Sequence, residues 1–139
     1  MKKVIISILL CMLLCSCGSK NSNVNVAEEI EQQTPTKTKF EQFEDGLEAL
    51  GQEYTAVTMV AELLGAEQGI KYKFSDWNLE LYRFDAESDA YIEASKNKAV
   101  HLEGFGSFPA MFNGEMALLK NDVPPEYKNE IEQLFMNLK

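Results

Sequence analysis

The spacing of the hydrophobic residues changes near residue 65, and that change does most to limit the folds open to this chain. Phe40, Phe43, Leu47 and Leu50 recur at helical spacing and stop at Gly51. Tyr54, Val57, Val60, Ala61 and Leu64 continue at similar spacing and stop at Gly65. Two consecutive helices joined by a tight turn are expected, with Gly46 weakening the first. From Ile70 the period becomes two: Ile70, Tyr72 and Phe74 alternate with Lys71 and Lys73. Ser75-Asp76-Trp77-Asn78 supplies a turn, and Leu79–Phe84 returns as the second strand of a hairpin.

Asp85 to Ser88 offer capping side chains before a short helix over Asp89–Lys96. Val100 and Leu102 alternate with His101 and Glu103 in a further strand, broken by Gly104-Phe105-Gly106. Phe108–Phe112 and Glu115–Leu119 flank Asn113-Gly114, a strong signal for a two-residue hairpin loop. Pro124-Pro125 opens the last helix, since proline suits a first turn. Tyr127, Ile131, Leu134, Phe135 and Leu138 line one side of it, a stripe that must cover apolar surface. We expect that stripe on the sheet face carrying Leu79, Leu81 and Leu102. The pattern predicts one α+β domain over residues 40–139, an antiparallel sheet of four to five strands with helices packed on one face. A hairpin followed by a helix recurs in its second half, with too few identities to establish a duplication.

Residues 17–39 differ in kind. Ser, Asn, Gln, Thr and Lys dominate, Pro35 interrupts, and Val24, Val26 and Ile30 are isolated. Such a segment buries too little surface to offset its ordering entropy, so it reads as a tether, with room for a short helix around 26–33. At roughly 5–6 Å × √n for a flexible chain, it would hold the domain about 25 Å from its point of attachment.

That attachment is set by the first residues. Lys2 and Lys3 precede the apolar run Val4–Leu14. The run is shorter than the roughly 20 residues that span a bilayer, so residues 1–16 read as an export signal. Leu14-Cys15-Ser16-Cys17 resembles the lipobox of bacterial lipoproteins, with Leu at −3, a small residue at −1 and cysteine at +1. Cys15 stands at −2, where small or hydroxyl residues are commoner. The resemblance implies that Cys17 receives a diacylglyceryl thioether and that the chain is cut before it. It implies a cell-membrane or outer-membrane location, with the domain on the extracytoplasmic side. In a two-membrane cell, Gly18 in place of Asp would permit outer-membrane sorting. In general make-up the domain is similar to small lipoproteins of Gram-positive anaerobes, but no motif in it specifies a family.

Cleavage would remove Lys2 and Lys3, lowering the 13 basic residues to 11 against 22 acidic ones, a charge near −11. Phosphate backbones repel such a surface, so no nucleic acid is expected as a partner. Cys11 and Cys15 leave with the signal and Cys17 carries lipid. The domain then has no thiol for a disulfide, a zinc site or a nucleophile. His101 is the only histidine and no Gly-x-Ser-x-Gly elbow accompanies it. Asp85, Glu87 and Asp89 alternate like the start of a calcium loop. Ala90 and Lys96 stand where that loop needs glycine and glutamate, so the acids read as a helix N-terminus. Glu41, Glu44, Asp45 and Glu48 form an acidic helix face rather than a pair held across a cleft. Gly104-Phe105-Gly106-Ser107 lacks the lysine and following helix of a phosphate loop.

Aromatics crowd the first hairpin: Tyr72, Phe74, Trp77, Tyr82 and Phe84, with Tyr91 beyond. Trp77, in a turn, is expected to be exposed, and Trp77 and Tyr82 are the candidate partner contacts. These readings point to a non-enzymatic lipoprotein, anchored through Cys17, that binds a protein or cell-wall partner without cofactor or metal. The alternative is a small-ligand or solute receptor. A small hydrolase acting through carboxylates is the third reading.

Overall fold

The computed structural model describes residues 36–139; the expected export signal, Cys17, the 26–33 segment and most of the expected tether lie outside the described residues. Thr38 and Lys39, the end of the tether by composition, are the cap and first residue of α1 (Lys39–Ala49). The Thr38 hydroxyl accepts from the Glu41 N–H, and Glu41 returns the bond to the Thr38 N–H. This closed box satisfies two of the orphan donors at a helix start. Gly51 ends the helix at φ +70°, a left-handed conformation that favours glycine. Gly46, an apparent weakness of the helix, makes room for Leu134 of the last helix: a Cβ there would lie 2.0 Å from Leu134 Cδ1.

The predicted second helix over 54–64 does not form. Thr55–Thr58 is instead β1, paired antiparallel with β2 (Gln68–Lys73). Only Ala61–Leu64 turns helically, as a single 3-10 turn capped by Gly65 at φ +73°. Thr55, Val57 and Thr58 are β-branched, and with a neighbouring strand available their stiff side chains favour extended backbone. The helical spacing there does not track burial, since Val60 is strongly exposed.

β2 pairs with β3 (Asn78–Arg83) in the anticipated hairpin, although Asn78 is already strand, opposite Lys73. α2 (Asp89–Asn97) follows, its start capped by the Ser88 hydroxyl. β4 (Ala99–Leu102) pairs only with β5 (Gly106–Pro109), as a separate two-stranded ribbon. The stretch 108–112, expected as one strand, divides at Ala110: Phe108 and Pro109 pair with β4, while β6 (Met111–Asn113) joins the main sheet. β6 and β7 (Met116–Leu119) form the second hairpin, whose register pairs Asn113 with Met116. The loop is therefore Gly114-Glu115, one residue beyond the expected Asn113-Gly114, because Gly114 takes the left-handed φ of +56°. Asn113 stays in the strand, its side-chain amide donating to the Phe135 carbonyl of the last helix and to the Leu138 carbonyl just past its end. That helix, α3, spans Pro125–Met136.

The result is the α+β architecture expected: a five-stranded antiparallel sheet ordered β1-β2-β3-β7-β6, plus the ribbon. Successive strand residues point to opposite faces, and both faces here carry a core. α1 and α3 cover the first face, burying Phe43, Leu47, Tyr72, Leu79, Leu81, Met116, Leu118, Ile131 and Phe135 together. The α3 stripe thus lies on Leu79 and Leu81 as expected. Leu102 is not beneath it, since β4 lies outside the main sheet. The second face buries Tyr82, Phe84, Ala117 and Leu119 under α2, the 3-10 turn and the ribbon. A hairpin followed by a helix does occur twice, but α2 and α3 settle on opposite faces.

Candidate functional site

The cover on the second face is incomplete. Between the 3-10 turn, the ribbon and the sheet lies a half-open cleft of about 370 Å³. Met59, Val60, Leu63 and Leu64 form one wall; Leu102 and Phe108 form the other. Lys71, Glu80, Tyr82 and Leu119 make the floor, and Asn78, Asn121 and Asp122 stand at one end. Val60 and Leu63 are each 66% exposed, an unusual degree for branched apolar residues beside a concavity.

Strand register builds the floor. Lys71 pairs directly with Glu80, and their charged groups meet at 2.7 Å. The Tyr82 hydroxyl donates to the second Glu80 oxygen at 2.7 Å. Burial first, and then this bond to a carboxylate, push the Tyr82 phenol well above its ordinary pKa, so it remains a donor. The ring lies over Gly69, its cross-strand partner, where a Cβ would sit 2.4 Å from the ring edge. At the end of the cleft the Asn78 amide donates to Asp122 at 2.8 Å. The floor is therefore a fixed polar network between apolar walls, an arrangement suited to orienting a ligand.

Of the two aromatics expected to contact a partner, Tyr82 is in the cleft and Trp77 is not. Trp77 was expected to be exposed but is only 8% so. Its turn folds back on the first face, stacking the indole on Phe74 (3.7 Å between ring centroids, 7° between planes) and against Tyr127 of α3. The turn position misled because the neighbouring aromatics supply a partner for each face of the indole.

The acidic groups also find places. Glu41 closes the α1 cap, Glu44 accepts from the Tyr72 hydroxyl at 3.1 Å, and Asp45 pairs with Lys37. Asp85 accepts from the Glu87 N–H, and its carbonyl accepts from Ser88, so this stretch is a capping turn. Among the described residues, no group of three or more His, Cys, Asp or Glu is placed to hold a metal ion. His101 is exposed, with Nδ1 3.2 Å from its cross-strand neighbour Ser107 Oγ. No carboxylate among the described residues bonds its other nitrogen. No helix among the described residues is long and apolar enough to cross a membrane.

Comparison with protein families, with curated proteins and with solved structures finds no match to this chain.

The sequence pointed to Tyr82 but not to the cleft around it. One wall was assigned to the helix that does not form, and the other to a strand that leaves the main sheet. The Lys71–Glu80 contact was readable in principle, since both are polar positions of an alternating hairpin and the turn sets their register.

Proposed function

We propose that this chain is an envelope lipoprotein, held on the cell membrane or outer membrane by acyl chains on Cys17. Its domain lies on the extracytoplasmic side and acts by binding a protein or cell-wall partner, not by catalysis. The observation that carries the binding half is the half-open cleft with apolar walls and the Lys71–Glu80–Tyr82 floor. A half-open cleft accepts part of a larger molecule, whereas a solute receptor encloses most of its ligand's surface. A solute remains the second reading, because about 370 Å³ falls within the range of small-ligand sites. The acidic charge supports the exclusion of nucleic acid. The anchoring half rests on Leu14-Cys15-Ser16-Cys17. Two or three acyl chains at about 0.8 kcal/mol per buried methylene hold a protein stably on a bilayer.

Replacement Cys17→Ser tests the anchor. Membrane fractions of cells expressing each form are partitioned in detergent and sized. The expected result is loss of acyl labelling together with a longer, uncleaved chain. A Cys17→Ser chain that is still acylated and cut to its normal length would overturn the proposal.

A further inference from the structure

The charge around the cleft narrows its ligand further; the step rests on the binding reading above. Five ion pairs occur among the described residues, and within the cleft Lys71 and Glu80 neutralise one another. Asp122, at the cleft's end, is hydrogen-bonded to neutral Asn78 and pairs with no cation among the described residues. Glu62 precedes the wall residue Leu63 on the 3-10 turn, and Glu103 follows the wall residue Leu102; both are exposed, and neither is in an ion pair among the described residues. Beside Asp122 the sheet presents one cation, Lys73, the register partner of Asn78. An apolar trough with an anionic rim complements a molecule that is apolar along one side and cationic along the other.

We infer that the cleft takes a basic amphipathic peptide segment of a partner protein, apolar side chains between Leu63 and Leu102 and cationic ones toward Glu62, Glu103 and Asp122. A lipid surface fits less well. Glu62, next to the exposed Leu63 in the chain, would have to be desolvated or pressed against phosphate headgroups. An acidic peptide meets the same repulsion from the domain's surplus of carboxylates.

The test uses the full chain in discs of zwitterionic lipid, with empty discs as blank and three labelled peptides as probes. One alternates Lys with Leu, one Glu with Leu, and one Lys with Ser. The Lys–Leu peptide is expected to bind saturably, and the other two far more weakly. Leu63→Ser removes an exposed wall residue without disturbing the core and should weaken Lys–Leu binding by roughly tenfold, the cost of losing one apolar contact. Asp122→Asn should weaken it further at low salt and make no difference at high salt, where exposed charges are screened. Equal binding of the Glu–Leu peptide with the same dependence on Leu63 would overturn the cationic ligand and leave the cleft as a binding site. Lys–Leu binding that Leu63→Ser does not change would place the peptide elsewhere and overturn the inference. No saturable binding of any probe would overturn both the inference and the role of the cleft.

Discussion

Phe135→Ala is expected to destabilise the domain by about 3–5 kcal/mol, the usual cost of emptying a buried aromatic site. Phe135 is fully buried on the α3 stripe, in one cluster with Phe43, Leu47, Leu81 and Ile131. Its backbone carbonyl also accepts from Asn113, so a shift of α3 into the vacated space would strain the β6–β7 hairpin as well. Domains of this size have roughly 5–15 kcal/mol available, so the variant should fold with a much lower urea midpoint or fail to accumulate. Leu134, on the same helix, is only partly buried and reaches over Gly46. Leu134→Ala should therefore cost less than Phe135→Ala. A Phe135→Ala midpoint equal to that of the unmodified protein would mean that α3 is not part of the core.

The second large effect is alkaline. Tyr72 and Tyr82 are 0% and 2% exposed, and each donates to a carboxylate, Glu44 and Glu80 respectively. Burial first, with the neighbouring negative charge behind it, pushes both phenols far above the ordinary range. In the unfolded chain they ionise near pH 10. Below that pH both states keep the protons and the stability is fully present. Above it only the unfolded chain loses them, so stability falls as pH rises, by about 1.4 kcal/mol per unit for each tyrosine. Between about pH 10 and 12 the pair would remove about 5 kcal/mol, enough to unfold a domain of ordinary stability. Urea midpoints taken along the pH scale should drop steeply there, and Tyr72→Phe and Tyr82→Phe should each flatten the drop. Complete tyrosinate absorbance near pH 10 with the fold intact would contradict this burial.

What the sequence disclosed and what it hid follow from the range of the interactions. α1, α2, α3 and the β2–β3 hairpin are each specified by neighbours in the chain. The Thr38–Glu41 box, the Ser88 cap, the glycine at 51 and the Ile70–Phe84 alternation all act within one or two turns. β1 was misread because its identity depends on β2, a strand that its own spacing does not announce. The division at Ala110 was missed for the same reason, since only tertiary pairing decides that Phe108 joins β4 while Phe112 joins β7. The cleft lies where those two errors meet: one wall follows β1 and the other is the β4–β5 ribbon, and neither was read with its true pairing. The polar floor was closer to view, because the alternation that marks a strand's buried positions marks its outward residues Lys71 and Glu80 as well.

The proposed lipid anchor would give the domain its place, and the mass of the first peptide of the native protein tests it most directly. Protein extracted from cell membranes is digested and its N-terminal fragment weighed and sequenced. The account predicts a fragment that begins at Cys17 and carries a diacylglyceryl group on the sulfur. A fragment that begins at any other residue, or one with Cys17 as a free thiol, would contradict it.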